Sequence, residues 1–177
     1  METKRLLVLS DTHGNIPPLE AVLKWAKGNY TIDTAVFLGD GIQDLRTSSA
    51  DSASCEWRIV RGNNDFEFSV PECACLDWCG YRFFLCHGHR YVLYRDYETL
   101  AAAARNMNAD AALFGHTHVP SIDNARGLLL INPGSIGRPR GRIGASFAII
   151  EHTPGMSFNV RFWGINSQAE IKEIKVP

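Results

Sequence analysis

Two histidines, His116 and His118, close the stretch Ala111-Ala112-Leu113-Phe114-Gly115-His116-Thr117-His118. The apolar run reads as a buried strand, and the imidazoles follow at i and i+2. A strand has period two, so side chains at that spacing leave the backbone on one side and can meet a common target. Two imidazoles aimed together suit a metal ion, although a solvated loop that holds two histidines accounts for the pair alone. Four further apolar runs end in groups of related chemistry: Asp11-x-His13, Asp40 after Gly39, Asn63 after Gly62, and His87 before Gly88. Ligands of open α/β sheets bind at the carboxyl ends of strands. Glycine beside each group permits a sharp turn and removes bulk from a crowded centre. Taken singly, Asp11 could cap a helix, Asp40 could form an Asx turn and His87 could be a satisfied core histidine. Seven such positions in one order are a constellation.

Carboxylates, imidazoles and one amide oxygen suit Mn²⁺, Fe²⁺, Zn²⁺ or Ni²⁺ better than the all-oxygen shell preferred by Ca²⁺ or Mg²⁺. Seven ligands are too many for one tetrahedral ion. Two ions about 3.5–4 Å apart could share one bridging carboxylate and hold a phosphoryl group between them.

The elements that must position these groups follow from periodicity. Arg5 to Leu9 and Thr34 to Leu38 are continuous apolar runs, the pattern of strands buried on both faces. Between them, Pro17 and Pro18 suit a first helical turn, Leu19, Val22, Leu23 and Ala26 recur at helical spacing, and Gly28-Asn29 ends the segment. Strand, helix and strand form a right-handed βαβ crossover. Residues 42–54 are polar and read as a short helix or irregular loop. Trp57 to Val60 is a third strand. Cys73 to Trp78 and Tyr81 to Cys86 flank Cys79-Gly80 as a hairpin. Tyr97 to Met107 is a helix behind Asp96 as N-cap. The 111–118 strand, Gly127 to Ile131, and strands near 146–151 and 157–163 complete one α/β domain spanning residues 1–177. It starts in βαβ units and ends in antiparallel strands.

Composition narrows the function classes. A chain of 177 residues supports one domain with a real core, and 45% hydrophobic with 21% charged residues is ordinary for a soluble fold. A net charge of -1 gives no general nucleic-acid surface and no attraction to anionic membranes. An anionic substrate must then be met by local cations, metal ions or backbone amides. The apolar run near the N-terminus is too short for a signal segment or a membrane span. The five cysteines are odd in number and contain no C-x-x-C pair, so reduced thiols in a cytoplasmic protein are expected. Trp25, Trp57, Trp78 and Trp163 are read as core residues.

The series Asp11-x-His13, Gly39-Asp40, Gly62-Asn63-x-Asp65, His87-Gly88-His89 and Gly115-His116-x-His118 resembles the calcineurin-like metallophosphoesterase superfamily. Chain length, the Gly-His-Thr-His form and Asn132-Pro133-Gly134-Ser135 are similar to its small prokaryotic phosphodiesterase (YfcE-type) branch. The resemblance implies a single-domain four-layer αββα sandwich of two packed mixed sheets, with metals at one edge. It implies that Asp11, His13 and His118 hold one metal, that Asn63, His87 and His116 hold a second, and that Asp40 bridges them. The implied activity is divalent-metal-dependent hydrolysis of phosphate esters, phosphodiesters first, by a metal-bound hydroxide, with manganese as the favoured ion. The implied partners are a small phosphate-ester substrate and, as among small members of the branch, further copies of the chain.

One position departs from the wider family. Many of its phosphatases have a histidine, the proton donor to the leaving group, where this chain has Asn64, and an amide cannot serve as a general acid near neutral pH. Asn64, Asp65 and His89 are the candidate substrate-contact or proton-transfer groups that remain. Arg138, Arg140 and Arg142 could contact phosphate, but a solvated basic loop is the preferred reading. Two alternatives accompany the phosphodiesterase: a phosphomonoesterase or nucleotidase, and a catalytically weak protein-interaction scaffold on the same fold, as in a retromer subunit of the superfamily. The intact set of seven ligand positions speaks against the scaffold.

Overall fold

A computed structural model describes residues 2–52, 55–166 and 169–175. The elements run β1 (Lys4–Leu9), α1 (Ile16–Asn29), β2 (Thr34–Phe37), α2 (Ile42–Thr47), a 3-10 turn (Ser49–Ser52), β3 (Glu56–Ile59), β4 (Cys73–Trp78) and β5 (Tyr81–Cys86). They continue with α3 (Glu98–Asn106), β6 (Ala111–Phe114), β7 (Ser121–Ala125), β8 (Leu128–Asn132), β9 (Ser146–His152), β10 (Asn159–Gly164) and β11 (Ala169–Lys175). One sheet has six strands in the order β11-β10-β9-β1-β2-β3, and the other five in the order β4-β5-β6-β8-β7. Both are mixed. β1, β2 and β3 are parallel neighbours, and β9, β10 and β11 extend that sheet antiparallel. β5, β6 and β8 are parallel, with β4 and β7 antiparallel at the two edges.

The continuous apolar runs are explained by burial of both strand faces. Leu6 and Val8 of β1 point between the sheets, where they meet Val36, Leu85, Leu113, Ile131 and Ile150. Leu7 and Leu9 point the other way, onto Leu19, Val22, Leu23 and Ala26 of α1. On the far side, Phe84, Cys86, Phe114 and Leu130 pack against Leu100, Ala101 and Ala104 of α3. The layers are therefore helix, sheet, sheet, helix: the four-layer α/β fold expected from the resemblance, in one domain. No helix among the described residues is long and apolar enough to cross a membrane.

Several local expectations are corrected. β6 stops at Phe114, so His116 and His118 are not strand residues. α3 begins at Glu98 with Tyr97 at the cap position, one residue later than expected; Asp96 still accepts the Glu98 N–H at 3.0 Å. The 42–54 segment resolves into α2 and the 3-10 turn, with residues 53 and 54 outside the described part. Two strands are additional. β7, Ser-Ile-Asp-Asn-Ala, is an edge strand too polar to show an apolar run. β11 hides its period because the register shifts between Phe162 and Trp163, leaving Ile171 without an opposite residue, a bulge. Of the four tryptophans, Trp78 is buried, whereas Trp25, Trp57 and Trp163 are half-buried against the α1 layer. All five cysteines are free thiols.

Leu113 is wholly buried between the sheets and Met107 is 48% exposed at the end of α3. Leu113→Ala is expected to cost about 2–5 kcal/mol, and Met107→Ala within about 0.5 kcal/mol. Urea denaturation measures both; similar small shifts for the two would contradict the placement of the inter-sheet core.

Candidate metal centre

Six parallel strands, three from each sheet, end at one place. β1 leads into Ser10-Asp11, β2 into Gly39-Asp40 and β3 into Gly62-Asn63, while β5 leads into His87, β6 into Gly115-His116, and β8 ends at Asn132. The two sheets are joined there directly. The His87 ring bonds through Nδ1 to the Leu38 carbonyl at 2.7 Å, and the His116 N–H donates to Asp11 Oδ2 at 3.1 Å.

Two groups of potential ligand atoms converge: Asp11, His13 and His118, and Asp40, His87 and His116. In the first, Asp11 Oδ1 lies 3.1 Å from His118 Nε2 and 3.6 Å from His13 Nε2, and the two nitrogens are 3.1 Å apart. In the second, Asp40 Oδ2 lies 3.3 Å from His87 Nε2, which is 3.3 Å from His116 Nδ1. The same Asp40 oxygen is 3.7 Å from His13 Nε2, so it faces both groups. His116 and His118 thus part company. Period-two geometry does not apply to them, because each sits in a left-handed turn and serves a different group.

The chemistry of the donor set fits a cation. His118 Nδ1 lies 2.6 Å from the Arg138 carbonyl and His87 Nδ1 is tied to Leu38, so each neutral ring presents an Nε2 lone pair to the centre. In that neutral form the lone pairs face carboxylate oxygens, acceptor against acceptor, a conflict that a cation between them removes. Asp11 Oδ1 is buried and accepts no hydrogen bond. Burial pushes the Asp11 carboxyl up, but His118 and His13 outweigh it and hold it well below the usual range. Burial also acts against Asp40, yet His87 and the Asn64 N–H and amide bring it down to about 2. His87 is the converse case: burial lowers it, and Asp40 and Asp11 raise it further than that. His116 and His89 are lowered, first by burial and then by His87. Two ionised carboxylates in so dry a place call for positive charge between them.

Backbone strain is concentrated here. Among the described residues, eight non-glycine positions have positive φ, and five are Asp11 (58°), His13 (47°), Asp40 (57°), His116 (67°) and His118 (62°). Such conformations cost about 1–3 kcal/mol each and persist only where the surroundings impose them. Glycine is needed at two flanking positions for space. A Cβ on Gly62 would strike the Asp40 carboxylate, and one on Gly115 would strike the Ser10 hydroxyl and crowd Asp11.

Hydrogen bonds hold the strained turns. Asp65, a candidate for proton transfer by sequence, has both oxygens taken up by backbone: Oδ2 accepts from Asp40 N and Gly62 N at 2.7 and 2.9 Å, Oδ1 from Gly41 N and Ile42 N at 2.8 and 2.9 Å. Its geometry is that of a positioning residue. Asn64, exposed, grips Asp40 with its backbone N–H (2.8 Å to Oδ1) and its amide (2.6 Å to Oδ2). Asn63 is exposed between Gly62 and Asn64, in a turn pinned on both sides by those bonds. His89 stands beside the second group, its ring 5.6 Å from that of His87, with Nδ1 buried and unpartnered and Nε2 4.0 Å from Glu72.

Three supports escaped the sequence reading. Asp44 accepts from the Thr12 hydroxyl and from Gly14 N at 2.8 Å, pinning the Asp11–His13 turn to α2. The Asn132 amide donates to the Gly115 carbonyl and Thr117 hydroxyl at 2.8 and 3.0 Å, and the Ser135 hydroxyl donates to the Asp11 carbonyl at 2.8 Å. Asn132 and Ser135 lie in a stretch that the sequence singles out without showing what they hold, and Asp44, inside α2, has no local signal. Arg138, Arg140 and Arg142 are exposed, as a solvated loop requires, but Arg138 also lines a cavity of about 700 Å³ together with His13 and Asp40.

Residues 5–155 match the calcineurin-like phosphoesterase superfamily domain. The probable metallophosphoesterase YsnB of Bacillus subtilis is 29% identical over 145 residues, which cover 82% of each chain. Phosphodiesterase YfcE of Escherichia coli is 28% identical over 172 residues, 84% of this chain and 88% of that one. A crystal structure from Streptococcus pneumoniae, described as a predicted phosphoesterase, has a TM-score of 0.79 at 29% identity over 99% of both chains. The chain belongs to the calcineurin-like phosphoesterase superfamily.

Proposed function

We propose that the chain is a divalent-metal-dependent phosphodiesterase with a two-ion centre. Asp11, His13 and His118 would hold the first ion and Asn63, His87 and His116 the second, with Asp40 shared between the two groups. Asp11 Oδ1 carries this reading: a buried carboxylate oxygen with no hydrogen bond and two imidazole nitrogens within 3.6 Å has the surroundings of a metal ligand. The bridging role of Asp40 is supported by its distances of 3.3 and 3.7 Å to the imidazoles of His87 and His13. Mixed nitrogen and oxygen donors favour Mn²⁺, with Fe²⁺, Zn²⁺ or Ni²⁺ fitting the same set. Such a pair of ions, when bound, supplies Lewis acidity toward phosphoryl oxygens and an activated water.

The remaining work falls to side chains. Asp11 and Asp40 stay ionised and hold the imidazoles in register, while the Leu38 and Arg138 carbonyls fix which nitrogen of His87 and His118 is offered. Two carboxylates against two divalent ions would leave the centre positive, and so suited to a phosphodiester anion on a chain of net charge -1. Asn64 orients Asp40, and its amide is too weak an acid to protonate the leaving group. His89, beside His87, is the remaining imidazole at the site's edge. Diesters are favoured over monoesters by the name of the YfcE relative and by a cavity of about 700 Å³ with room for a second ester group.

Hydrolysis of bis-p-nitrophenyl phosphate with added Mn²⁺ is the first test, run beside p-nitrophenyl phosphate. Turnover is expected to prefer the diester, to vanish on chelation, and to fall at least about 100-fold in Asp40→Asn. No turnover with any of the four ions would replace the enzyme with a binding scaffold on this fold.

Elemental analysis tests the ligand division separately. The parent protein is expected to hold two ions per chain, and His116→Ala and His118→Ala one each. Anomalous scattering should find the survivor beside Asp11 in the former and beside His87 in the latter. Loss of both ions from each variant would remove the support for two distinct groups.

Asp65→Asn tests positioning apart from catalysis. It is expected to weaken Mn²⁺ binding about 10–100-fold, with kcat recovered at saturating metal. A kcat defect that no metal concentration repairs would assign Asp65 a direct part in the reaction.

A further inference from the structure

The cavity beside the ligand groups is larger than a phosphate needs. Its volume of about 700 Å³ is in the range of sites for whole small ligands, roughly 300–1,000 Å³. His13 and Asp40 line it on the side of the centre, and Phe66 and Arg138, both exposed, line it farther out.

Phe66 is not explained by the fold. It is 83% exposed, belongs to none of the three apolar clusters, and takes part in no ring contact among the described residues. Phe68, 75% exposed, differs in having the Arg61 guanidinium 4.9 Å from its ring centroid. Yet the backbone that carries Phe66 is fixed on both sides. Asp65 before it is held by four backbone N–H groups, and Glu67 after it is paired with Arg46 at 2.7 Å. The ring is therefore an apolar surface at the cavity, carried on a backbone that is held in place.

Arg138 has a similar status. Its guanidinium has no carboxylate partner among the described residues. Its backbone is anchored on the site, since its N–H donates to the Ser135 hydroxyl at 2.8 Å and its carbonyl meets His118 Nδ1 at 2.6 Å. A planar π face and a guanidinium therefore flank the way to the ligand groups. Bases stack on aromatic side chains irrespective of sequence, and guanidinium pairs with phosphate oxygens.

We propose, on the basis of the phosphodiesterase reading, that the outer part of this cavity is a nucleoside subsite. Phe66 offers its face to the base, Arg138 contacts the phosphate oxygens, and preferred substrates are phosphodiesters in which one ester group is a nucleoside.

Two esters with the same leaving group test it: the p-nitrophenyl ester of thymidine monophosphate, and methyl p-nitrophenyl phosphate. The parent protein, loaded with Mn²⁺, is expected to favour the nucleoside ester in kcat/KM by about tenfold or more. Phe66→Ala should reduce that ratio about tenfold, mostly through KM, and Phe66→Trp should retain it. As a readout independent of turnover, the indole fluorescence of Phe66→Trp should be quenched saturably by thymidine monophosphate beyond any change in the parent protein, and not by inorganic phosphate. Equal treatment of the two esters by the parent, an unchanged ratio in Phe66→Ala, or absent quenching would each overturn the subsite. If neither ester is hydrolysed, the phosphodiesterase reading fails by itself, and the fluorescence titration still decides whether a nucleotide sits on this ring.

Discussion

Electron-rich atoms are crowded into a dry space at the ends of six strands, and the rest of the chain is arranged to tolerate that crowding. Asp11 Oδ1 faces two imidazole nitrogens with no hydrogen bond to offset its burial. A buried acceptor left unsatisfied costs about 1–3 kcal/mol, and more when charged. Five ligand positions in left-handed conformations add to this. None of these costs is repaid within the centre itself unless a cation is present. They are borne by the apolar sandwich below it, where the two sheets bury Leu6, Val8, Leu85, Leu113 and Ile131 against one another. The strongest part of the fold and its most strained part are therefore consecutive along the same strands.

What keeps the strained turns in place is a set of carboxylates and amides aimed at backbone groups. Asp65 gathers N–H groups from the turns after both β2 and β3, so that the two turns move as one. Asp44 does the same between α2 and the turn after β1. Asn132 ties the end of β8 to the turn after β6. Each bond is short-range, but each joins strands that are neighbours only because the sheets have formed. Ligand geometry is thus a consequence of sheet order: parallel β1, β2 and β3 in one sheet, and β5, β6 and β8 in the other, bring their carboxyl ends together.

That dependence explains what the sequence could and could not disclose. Strands buried on both faces are visible as apolar runs, and β1, β2, β5 and β6 were legible for that reason. The hairpin of β4 and β5 was legible from Cys79-Gly80. Ligand types were legible because five apolar runs of one chain all end in aspartate, asparagine or histidine beside glycine, a series that no cap, turn or core histidine taken singly explains. Conformation was not. The i, i+2 spacing of His116 and His118 suggests a shared target only if the strand continues, and it stops at Phe114. Their division between two groups followed from the resemblance, not from spacing. Nor could Asp65 be told from an acid, since three of its four donors lie 23 to 25 residues earlier in the chain and reach it only through the fold. β7, polar and at an edge, and β11, with its bulge, depend on neighbours that a local pattern cannot contain.

In the proposed reading, one residue links the metal centre to the nucleoside subsite. Asp65 orients Asp40 through the backbone of the β2 turn, and it also fixes the chain position from which Phe66 projects. On the opposite wall, the carbonyl that meets His118 Nδ1 belongs to Arg138. Both outer groups are therefore one residue or less from an anchor of the candidate ligand groups, so the backbone position of each is tied to the centre. A cavity built in this way can hold a substrate at a fixed depth with side chains that are themselves exposed. Its selectivity can change through the identity of residue 66 or 138 while the main-chain bonds that hold Asp40 and His118 stay as they are. Changes at 65 have no such freedom, because there the carboxylate serves the turn and the wall at once.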